Sequence, residues 1–145
     1  MDCYFFIRLF ILILLIVLSI EDIISKTVSS IFLYAINVLQ ILSAVMIIDS
    51  KYFWIKIIFS IIIFALYFSN NFFRKYIGEA DIIFLCFQFA SLELNKFIIF
   101  WWTYLIFSLI YGIILYIRNS DYHIPMFPAF LFAEFSTLIS GGIIW

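Results

Sequence analysis

The chain has 145 residues, of which 68% are hydrophobic, 23% aromatic and 12% charged, with a formal net charge of −1. A soluble domain is about half apolar and about a quarter charged, so the composition excludes an ordinary water-soluble fold, and with it disorder. Near-neutral charge leaves no electrostatic footprint for nucleic acid, and two cysteines, Cys3 and Cys86, supply neither a disulfide framework nor a cysteine-ligated zinc module.

A bilayer is the solvent that suits such a chain. A helix crossing ~30 Å of hydrocarbon needs about 20 apolar residues. Six runs approach that length: 4–20, interrupted by Arg8; 31–48; 52–68, with Lys56 inside; 82–92, the shortest; 97–117; and 129–145, with Glu134 inside. Asp2 stands where a secretory signal carries positive charge, and no A-x-A-like site precedes Glu21, so the first run is expected to persist as a helix. The pattern predicts an all-α membrane protein, a polytopic bundle of about six transmembrane helices filling 1–145 as a single domain.

Polar residues collect in three connectors, 21–30, 69–81 and 118–128. These follow the first, third and fifth helices and must share one side of the membrane, whichever way the chain inserts. The turns near Asp49 and Asn95 take the other side. Lys26, Arg74, Lys75 and Arg118 give the three-connector side a slight basic excess, which predicts that it is cytoplasmic.

Asp22 closes the first run and Asp81 opens the fourth, so parity sets both at one depth on that side. Acids near hydrocarbon are costly and inside a bundle mark function. Two adjacent carboxyls cannot both ionise cheaply, so they share a proton. One can then act as base on a water while the other acts as acid toward a carbonyl. The plainer reading is that both are solvated helix-end charges paired with Lys26, Arg74 or Lys75. Helix dipoles favour the anion at Asp81, at an amino end, and the neutral acid at Asp22, near a carboxyl end.

Gly78-x-x-Asp81, followed by Ile82-Ile83-Phe84-Leu85, resembles the GxGD motif of membrane aspartic proteases. Asp22, six residues before Val28, resembles the first aspartate motif of prepilin peptidases. Ile124-Pro125-Met126-Phe127-Pro128 resembles the Ile-Pro-x-x-Pro segment leading into their last helix. In this order and spacing the three resemble the type IV prepilin peptidase and preflagellin peptidase family across nearly the whole chain. The resemblance implies an aspartic endopeptidase of the cytoplasmic membrane that removes leaders from membrane-anchored prepilins or pseudopilins, with no cofactor and no metal. Asp22 and Asp81 carry over as the catalytic pair, with Gly78, Ala80, Pro125 and Pro128 as supporting motif positions. Ala80 replaces the second glycine, Ile83 stands where many members have Lys, and Ser29 replaces a proline. The amino-terminal zinc and methyltransferase region of larger members has no counterpart here, so the expectation is a short form with peptidase activity and no methylation.

Glu79 and His123 flank these motifs. Each can contact substrate or stand as a connector polar residue. Glu134 can face a wet cavity or pair with Arg118. Gln88 and Asn37 can hydrogen-bond between helices, while Trp54, Trp101, Trp102 and Trp145 read as interface anchors. The competing classes are a non-enzymatic small membrane subunit or ion-coupled carrier, disfavoured by the lack of paired broken helices, and a presenilin-type protease, disfavoured by the short chain and the proline segment.

Overall fold

The computed structural model describes residues 3–25, 27–48, 52–70, 78–117 and 126–143. Among them there are six helices and no strand: α1 (Cys3–Ser25), α2 (Ser30–Met46), α3 (Phe53–Ser69), α4 (Glu79–Ser91), α5 (Leu94–Ile117) and α6 (Phe127–Ile143). Each covers one of the six apolar runs.

Boundaries follow local chemistry. α1 runs on to Ser25, past the end of its apolar run, so Asp22 lies within the helix and the first connector is shorter than hydropathy predicts. Ser29 is the residue before α2, and its N–H donates to Glu21 Oε2 at 3.0 Å, tying the end of α1 to the start of α2. α4 begins after Gly78, and Ile82 N–H closes its first turn on the Gly78 carbonyl. Pro128 occupies the first turn of α6, where its missing N–H has no helical partner to lose.

Not all the helices reach spanning length. α1 and the 94–114 part of α5 are long and apolar enough to cross a membrane, whereas α2, α3 and α6 are apolar but shorter. α4, with 13 residues, is about 20 Å long. It stops where Leu92 turns extended and its carbonyl takes a hydrogen bond from Lys56 of α3. Six helices form as expected, and among the described residues two of them are long and apolar enough to cross a membrane.

α1 packs on α2 and α6, α2 on α4, α5 on α6, and α3 on α4. Ring contacts of Phe84 with Phe127 and Phe130 join α4 to α6. The main core comprises Ile11, Leu15 and Leu18 of α1, Leu33 and Ile36 of α2, Phe84 of α4, Phe100 and Tyr104 of α5, and Phe130 of α6. α1, α2, α4 and α6 form the centre, and α3 and α5 lean on its flanks.

Polarity is inverted relative to a soluble fold. Arg8, Asn37, Gln40, Lys56, Gln88 and Glu134 are buried, while Phe10, Ile24, Trp54, Ile61, Trp102 and Leu109 are exposed. Interior hydrogen bonds connect what is buried. Arg8 pairs with Glu134 and donates to Ser91 Oγ at 3.0 Å; Gln88 donates to Glu134 Oε2 at 2.6 Å, and Gln40 to Gln88 Oε1 at 2.7 Å. The chain crosses from α1 through α6 and α4 to α2.

Candidate active site

Asp22 and Asp81 come from antiparallel helices. Asp22 is buried in the last turns of α1, and Asp81 is half-buried in the first turn of α4. Asp22 lies close enough to Asp81 for its charge to bear on the Asp81 carboxyl. Two residues distant in sequence thus share one electrostatic neighbourhood.

Backbone groups hold each carboxyl. Asp22 Oδ2 accepts the N–H of Phe127, the first residue of α6, at 3.2 Å. Asp81 takes a backbone hydrogen bond from Gly78, three residues earlier, as the N3 residue of a capping box reaches back to the residue before its helix. Both acids therefore face the amino end of a helix, Asp81 its own and Asp22 that of α6. The dipole asymmetry expected from α1 alone, which made Asp22 the neutral partner, is removed by the α6 contact.

Gly78 has a steric role. Its φ of −67° suits any residue, but a Cβ there would come within 2.9 Å of Asp81 Oδ2. That is too close, so a side chain at position 78 would push the carboxylate aside. Ala80 is half-buried against the main core, and its methyl group is accommodated. Glu79 and Gly78 are exposed at the mouth of the site. Pro128 is half-buried at the start of α6. His123 and Pro125 lie outside the described residues, as do Lys26, Arg74, Lys75 and Arg118.

Tyr104 of α5 is an unforeseen neighbour. It is buried, its hydroxyl donates to Met126 Sδ at 3.7 Å, and it lies within the field of Asp81. Its ring stacks on Phe130, 4.9 Å between centroids, which ties the site to the core. Nothing in the 97–117 run separates this tyrosine from a lipid-facing one. Glu21 is likewise engaged, accepting the Ser29 N–H.

Glu134 lies two turns into α6, and its partner is Arg8 of α1, with Gln88 alongside. Gln88 bridges helices as expected, and Gln40 joins it. Cys86 is buried and donates to the Ser60 carbonyl at 3.6 Å, the setting of a packing thiol. Among the described residues no three His, Cys, Asp or Glu side chains gather as a metal centre would require.

No protein-family model, curated protein or solved structure matches this chain. The chemistry of the site is what remains to indicate function. Two carboxyls at one mouth of the bundle, each oriented by a backbone N–H and lodged against an apolar core, can hold one proton between them, activate a water and protonate a leaving group.

Proposed function

We propose that the protein is a membrane aspartic endopeptidase that cleaves the leader of a membrane-anchored prepilin or pseudopilin at the cytoplasmic face, with Asp22 and Asp81 as the catalytic pair. The observation that carries the reading is that the fold brings these two acids to one end of the bundle, Asp22 on the Phe127 N–H late in α1 and Asp81 in the first turn of α4, close enough for one charge to bear on the other. The order of the three motifs along the chain supports the substrate class.

Membrane insertion is part of the proposal. Its support is the inverted polarity: ringed by exposed Ile, Phe and Leu, the bundle buries charged and amide side chains. Apolar patches of that extent are covered by lipid or partner in stable proteins. The shorter helices would span by local thinning of the bilayer or through snorkelling flanks.

In the proposed reaction the charged carboxylate draws a proton from water as its oxygen attacks the scissile carbonyl carbon. The neutral carboxyl gives its proton to the carbonyl oxygen. The tetrahedral intermediate collapses with cleavage of the C–N bond, and the leaving amine takes a proton from the pair. Dyad protonation is best described by apparent values belonging to both acids together.

The test is leader cleavage of a co-expressed prepilin with Asp22→Asn and Asp81→Asn as controls. Loss in both variants, with helix content retained, is the expected result. Cleavage that persists in either one refutes the dyad. An ion-coupled carrier is the second reading, favoured by the buried chain from Arg8 to Gln40. It predicts ion transport by the full chain and no cleavage.

A further inference from the structure

Among the described residues three buried side-chain atoms stand without a hydrogen-bond partner: Asn37 Oδ1, Gln40 Oε1 and Glu134 Oε1. All are oxygens, and among the described residues no buried side-chain nitrogen is orphaned with them. The three residues are more than nine-tenths buried. Asn37 and Gln40 lie one turn apart on the inward face of α2. Gln40 reaches Glu134 through Gln88 by bonds of 2.7 Å and 2.6 Å, and Asn37 is the neighbour of Gln40 one turn back on the same helix.

We propose that Asn37, Gln40 and Glu134 hold a small alkali cation together with part of its hydration shell. The deficit among them is of positive or donor character only. A neutral water brings lone pairs that need donors, whereas a cation-bound water turns its lone pair to the ion and both hydrogens outward, which suits a set of unmatched acceptors. Amide and carboxylate oxygens are hard ligands that suit alkali and alkaline-earth ions over softer metals. Charge selects among these. Arg8 already compensates Glu134, so a divalent ion would leave two uncompensated charges in the bundle and a monovalent ion leaves one. The inference does not rest on the peptidase reading, since these residues lie about 10 to 15 Å along their helices from the aspartate pair.

The experiment measures thermal unfolding of the purified full chain in lipid nanodiscs, titrated with NaCl, KCl or choline chloride at constant ionic strength. Sodium or potassium should raise the midpoint by several degrees in a saturable way, with choline inert. Asn37→Leu should lose that response while melting in choline at or above the parent midpoint, because it removes an orphaned acceptor. Asn37→Asp adds a ligand charge and should saturate at several-fold lower cation concentration; it carries the test if the leucine variant does not accumulate. Equal parent midpoints in all three salts overturn the proposal. So does a cation response that survives unchanged in Asn37→Leu, or an Asn37→Asp variant with unaltered cation dependence.

Discussion

Gly78 illustrates how one missing side chain can set the position of a carboxylate. Its backbone is ordinary, so conformational freedom does not explain it. The reason is the 2.9 Å that would separate a Cβ from Asp81 Oδ2. Gly78→Ala must therefore displace the Asp81 carboxylate while leaving the packing of α4 against its neighbours intact. Because a displacement of about 1 Å in a reacting group costs about 10²-fold in rate and a shift of a few tenths of an ångström relieves this contact, cleavage should fall several-fold, by less than that factor, with the unfolding midpoint nearly unchanged. Kinetics alongside thermal melting checks this; wild-type cleavage by the alanine variant would remove Gly78 from the site. The pair itself makes a second prediction. One acid must be charged and its neighbour neutral, so cleavage should follow a bell in pH. A pH–rate profile of the unaltered protein checks this, and a single-limbed profile would deny the pair its two opposite charge states.

At the scale of helices, the decisive contacts join elements distant in sequence. Arg8 and Glu134 bring α1 against α6, and Ser91 and Gln88 bring both to α4. This layer holds the helix that carries Asp22 in register with the one that carries Asp81. Arg8→Met leaves Glu134 buried without its counter-charge, which costs about 3–5 kcal/mol. Replacing both partners by apolar groups is often neutral, so Arg8→Met combined with Glu134→Leu should regain most of that loss. A double-mutant cycle on unfolding midpoints measures the coupling, and additive losses would deny the pair its structural role. Such pairing explains the limit of what was legible in the sequence. Hydrophobic runs located all six helices, since each run is a local property. Asp22 and Asp81 could be set on one side by parity alone. Arg8 read as an interruption and Glu134 as an acid facing a wet cavity or pairing with Arg118, because nothing local to either residue encodes a contact 126 positions away. Tyr104 was invisible for the same reason: its hydroxyl meets Met126 and the field of Asp81 only once α5 folds against α6.

For the whole molecule, orientation follows from connectivity. α1 ends and α4 begins on one face, so Thr27 and Glu79, both exposed, must lie on the same side of a membrane-inserted bundle. Glu93, exposed between α4 and α5, must lie on the other. The proposed function requires the aspartate side to face the cytoplasm, the side expected from the slight basic excess, where a leader peptide would be met before export. Single cysteines at these three positions, in a Cys3→Ser background that keeps the buried Cys86, make the arrangement measurable. A membrane-impermeant maleimide should label Glu93→Cys in intact cells. It should label Thr27→Cys and Glu79→Cys only after permeabilisation. Labelling of 27 and 93 from the same side would break the bundle topology. The reversed pattern would keep the topology but put the aspartate pair outside, away from any cytoplasmic leader, and the proposed substrate would fall while the geometry of the pair stood.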